Sequence, residues 1–133
     1  MYGFSTTIDG GLAEVRTRVE RALAAEGFGV LTEIDVQKVM KAKLDVDRMP
    51  YLILGACNPN FAHAGLEADP DLGLLLPCNV VIRTGDDGRQ TVSFMDPESV
   101  LGLVDAPEVA ELGAQVRAAL LRVRDSLNTE AAP

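Results

Sequence analysis

Residues 51–57, YLILGAC, are apolar at nearly every position, and no other stretch of the chain restricts its fold as strongly. A run this short, bounded by turn residues, predicts a strand covered on both faces rather than a helix. Such a strand needs neighbours, and the flanking sequence supplies them. MYGFSTTI at the start sets Tyr2, Phe4, Thr6 and Ile8 on one face, the period of a half-buried strand. Residues 28–34 read as another strand, and 78–84 and 90–96 as two more, joined by GDDGR, whose Asp-Gly is a hairpin signal.

Helical spacing occurs twice at length. Val15, Val19, Ala22 and Leu23 repeat along one face and stop at Gly27; Val109, Leu112, Val116, Leu120, Val123 and Leu127 continue one long helix near the C-terminus. Two shorter helices are expected, one over 36–44 capped by Asp35, the other opening at Asn58-Pro59 and ending near Asp69-Pro70. The order predicts one two-layer α+β domain over residues 1–128, a β-α-β(4)-α chain with an antiparallel sheet, helices on one face and short helical insertions between strands. Residues 129–133 are expected to form a disordered tail. Because the strands are apolar and the helices cover one sheet face, a homodimer through the other face is expected.

Composition narrows the function classes. With 133 residues and 47% apolar content, the chain can bury one core of its own. Its formal charge of -8, from 20 acidic and 12 basic residues, offers no surface for a nucleic-acid backbone. No apolar run is long enough to cross a bilayer, and Asp9 and Glu14 interrupt any leader, so a cytoplasmic protein without membrane contact is expected. Two cysteines in such a compartment are expected to be reduced thiols.

Those cysteines carry the chemistry of interest. The chain has four asparagines, and two of them follow cysteines, in Cys57-Asn58 and Cys78-Asn79. If the strands ending at Cys57 and beginning at Cys78 are antiparallel neighbours, the two pairs meet at one sheet edge. His63, the only histidine, lies on the helix that starts there, with Glu67 one turn further along. Three chemistries fit. A thiol before a helix N-terminus and near an imidazolium is activated, giving Cys57 as nucleophile, Cys78 as resolving thiol and His63 as the third catalytic member, suited to sulfur transfer or redox sensing with a sulfur-carrier or small-molecule partner. Zinc could be held by Cys57, Cys78 and His63 with Glu67 or water as fourth ligand, although no close Cys-x-x-Cys chelate is present. Thirdly, Asn58, Asn79 and helix-start amides could hold a small anionic ligand rather than a metal, with Glu67 and Asp96 as further ligand-binding candidates and no cofactor at all. Against these stands a plain structural reading: buried cysteines, an asparagine cap, and an Asp96-Pro97 turn, in a non-catalytic binding or interaction module. Serine-hydrolase, metalloprotease and phosphate-loop motifs are absent from the sequence.

YGFS near the start, EGFGVLTEIDV at 26–36, GACNP at 55–59, LLPCNV at 75–80 and Asp96-Pro97 together resemble a bacterial and archaeal family, domain of unknown function number 302. The resemblance spans about residues 2–100 and carries Gly55, Cys57, Asn58, Pro59, His63, Pro77, Cys78 and Asn79 as motif positions. It implies an α+β fold of the TATA-binding-protein-like kind and no particular reaction.

Overall fold

The computed structural model describes residues 1–130, with side chains through residue 128. In chain order the elements are β1 (Gly3–Ile8), α1 (Leu12–Ala25), β2 (Gly29–Asp35), α2 (Val36–Leu44), β3 (Tyr51–Cys57), α3 (Pro59–Ala68), a 3₁₀ turn (Pro70–Leu75), β4 (Cys78–Thr84), β5 (Gln90–Met95), α4 (Pro97–Leu101) and α5 (Pro107–Glu130). The expected tail beyond Glu130 lies outside the described residues.

The strands form one open sheet in the order β1-β5-β4-β3-β2, with every neighbouring pair antiparallel. Strand alternation divides it into two unlike faces. Leu52, Leu54 and Ala56 of β3, Val80 and Ile82 of β4, and Val92 and Phe94 of β5 are buried in one core with Val15, Val19 and Leu23 of α1 and Val116, Leu120 and Val123 of α5. Each fully buried aliphatic side chain stabilises the fold by about 1.5–3 kcal/mol, so this interdigitated layer holds α1 and α5 to the sheet.

The opposite face is open. Tyr51, Ile53 and Cys57 are only half-buried, so β3 is covered on one face and not on both as its composition suggests. Its apolar residues reflect a next-to-edge strand with a fully packed inner face, while the outer face borrows cover from its neighbours alone. Gly55 is the exception: it is buried on that outer side beneath the Thr32 hydroxyl and Pro77, and a Cβ there would run into Thr32 and lie 2.7 Å from the proline Cγ. One short element had a weaker signal. Asp96 does not merely precede a turn; its carboxylate accepts from the backbone N–H groups of Glu98 and Ser99 and starts α4.

Candidate functional site

The Cys-Asn pairs do come together. Register pairs Ala56 with Cys78 and Gly55 with Asn79 across β3 and β4, so Cys57 lies one residue beyond the pair that contains Cys78. Adjacent strand residues point to opposite faces, so the two thiols leave the sheet on different sides, Cys78 inward and Cys57 at the rim. Both still line one small cavity of about 30 Å³, walled by Phe28, Phe61, Leu72, Leu76 and Leu101 among others. That volume takes a single water-sized occupant, and its walls are apolar.

Local chemistry at this end is already satisfied. Asn58 caps α3, its Oδ1 accepting from the Asn60 N–H at 3.2 Å, while its Nδ2 donates to the Glu26 carbonyl at 3.3 Å. The second bond ties α3 to the end of α1. Gly27, in left-handed conformation at φ 84°, makes room for that asparagine, since a Cβ at Gly27 would lie 2.9 Å from Nδ2. Pro59 has no N–H to offer and Asn60 gives its own to the cap, so the helix start has little left with which to stabilise a thiolate. Burial accordingly pushes the Cys57 thiol up from its ordinary value. Cys78 goes further, pushed up to about 11 by burial and then by the charge of a neighbouring Cys57 thiolate. Both are protonated thiols at neutral pH.

The other expected members stay away. His63 and Glu67 are exposed on α3, and neither lines the cavity that the cysteines share. Among the described residues no three His, Cys, Asp or Glu side chains cluster so as to hold a metal ion. The zinc set of Cys57, Cys78, His63 and Glu67 is therefore not assembled, because α3 turns its polar face outward and packs through Phe61, Ala62 and Gly65. Asp96 is engaged elsewhere, capping α4 and pairing with Arg117 at 3.2 Å.

Asn79 alone leads to a second region. It faces outward on β4, the central strand, followed on the same side by Val81 and Arg83. Register builds three rows across this open face: Thr7, Thr91, Arg83 and Tyr51; Ser5, Ser93, Val81, Ile53 and Ile34; Gly3, Met95, Asn79, Gly55 and Thr32. A hollow of about 620 Å³ lies over part of them, from Gly3, Ser5, Ser93 and Met95 to Asn79, Val81, Arg83 and Tyr51, with Met1, Tyr2 and Val100 at its border. Volumes of this order accommodate small organic ligands. The apolar side comes from Tyr51, Val81 and Met95; Asn79, Arg83, Ser93 and Ser5 supply polar atoms. Sequence motifs pointed only to Asn79. Tyr51, Arg83 and Ser93 become legible once strand parity is tied to register, since each shares the outward parity of its strand.

No helix among the described residues is long and apolar enough to cross a membrane. No curated protein matches the chain. Among solved structures it is similar to the crystal structure of an uncharacterized conserved protein DUF302 from Bacillus stearothermophilus, with 28% identity over 94% of this chain and 97% of that one, at a TM-score of 0.86. The family described as domain of unknown function DUF302 matches residues 4–127, nearly the whole packed domain including both Cys-Asn pairs, and the chain belongs to it.

Proposed function

We propose that this protein is a non-catalytic small-ligand-binding module whose binding surface is the open face of the sheet, and that its paired Cys-Asn motifs are structural. The observation that carries this reading is the contrast in volume. The cavity of about 30 Å³ at the cysteines has room for no more than a water-sized guest, whereas the hollow of about 620 Å³ on the open face has room for a small organic molecule. Protonated thiols and a capped helix start argue further against sulfur transfer or redox chemistry at Cys57 and Cys78. The element order suits the TATA-binding-protein-like class of folds, in which a curved sheet offers one face for contact. A charge of -8 argues against DNA as what it contacts.

The test is to map a library of small fragments on the 15N-labelled chain by amide chemical shifts. Hits are expected to gather on Tyr51, Val81, Ser93 and their row neighbours. Hits confined to Cys57, Asn58 and Phe61 would return the function to the cysteine end. A second reading rests on Ile34, which is 48% exposed beside Ile53 and Val81: the same face covers a second copy of the chain. Light scattering that gives a dimer mass, together with dissociation by Ile34→Asp, would favour it.

A further inference from the structure

We infer that the open-face hollow takes a small organic oxyanion, an apolar body ending in a carboxylate or phosphate, with Arg83 as the group that holds the charged end. This names the ligand class for the binding surface proposed above and rests on that reading. The chain carries 20 acidic residues against 12 basic ones, yet none of the outward positions in the three rows is an aspartate or glutamate. Arg83 is the one charged side chain in those rows. Elsewhere arginines find carboxylates: Arg16 with Glu20 and Glu33, Arg89 with Asp9, Arg117 with Asp96, Arg122 with Glu26. Arg83 makes no ion pair or side-chain hydrogen bond among the described residues, so its planar fork of donors stays available.

Its surroundings match one kind of guest. Asn79 stands four residues back along the same strand and Ser93 lies across from Val81, so amide and hydroxyl donors join the guanidinium on one surface. Tyr51 is paired directly with Arg83, and its ring gives an apolar body something to lie against. A hollow of about 620 Å³ is far larger than a bare oxyanion needs and leaves room for a body as well as a headgroup. A cationic guest would meet an arginine and no counter-charge, so it is disfavoured on the same face.

The experiment titrates the 15N-labelled full chain with benzoate, phenyl phosphate and benzamide, a neutral analogue of benzoate, with light scattering at the same protein concentration. Either oxyanion is expected to shift the amides of Tyr51, Val81 and Ser93, the tighter of the two naming the headgroup, and benzamide is expected to bind about tenfold or more weakly. Arg83→Gln should abolish that difference, while Arg83→Lys should keep part of it; Arg83 is exposed, so both variants are expected to fold. Equal binding of benzamide and benzoate at these amides would overturn the oxyanion inference and leave the binding surface standing. No shift on the open face with any of the three probes, or open-face amides buried in a stable dimer, would overturn both.

Discussion

The cysteine end and the open sheet face share strands β3 and β4, yet they are opposite in what they leave unsatisfied. At the cysteine end the conspicuous residues are already engaged by the fold. Asn58 caps α3 and holds the Glu26 carbonyl, Cys78 fills core volume, and Gly55 and Pro77 lock together. On the open face Arg83 and Asn79 project into a hollow. The lesson is that a distinctive sequence motif marks where the fold is demanding, and a binding surface is marked instead by polar groups that the fold does not consume.

The sharpest way to break this contrast is alkaline pH. A thiol held up from 9.0 to about 11 binds its proton more tightly in the folded chain than in the unfolded one. Its contribution is full below pH 9 and is lost as pH rises towards 11, a decline on the order of 2–3 kcal/mol. Urea unfolding between pH 8 and pH 11 checks it, and Cys78→Ala should flatten the decline even though the cavity it leaves lowers stability at neutral pH. Next in size, Gly27→Ala should cost about 1–2 kcal/mol, because the residue loses an easy positive φ and presses on Asn58. Asn58→Ala removes a cap and a tie between helices and should cost about 0.5–2 kcal/mol by the same unfolding measurement. Arg83→Gln should change stability by no more than about 0.5 kcal/mol while removing the preference for benzoate over benzamide. A large loss of stability in that last variant would mean that Arg83 is structural after all, and the contrast would collapse.

Much of the fold was legible in the sequence because strong periodicity and strong punctuation agreed. Gly27, Asp35 and Asn58-Pro59 mark boundaries that the structure keeps: Gly27 has positive φ, and Asp35 accepts from the Lys38 N–H as the expected cap. The pairing of the two Cys-Asn strands, a condition in the sequence reading, is met by the antiparallel β3–β4 register. The character of β3's outer face did not, because an apolar run reads the same whether one or both faces are packed. His63 was misleading for a related reason. Spacing along a helix fixes which residues share a face, and it leaves open whether that face turns to the sheet or to water. Arg83 went unnoticed because a lone arginine in an alternating strand has no motif; its meaning comes from cross-strand register with Tyr51 and Ser93's row, which only the folded sheet defines.

The most direct measurement of the central claim is the rate at which the native protein's two thiols react with a disulfide reagent, compared with the unfolded chain at the same neutral pH. Structural thiols with raised pKa values should make Cys57 slower than an unfolded cysteine and leave Cys78 unmodified until the protein unfolds. A native thiol that reacts faster than it does in the unfolded chain would contradict this, and would return the function to Cys57 and Cys78.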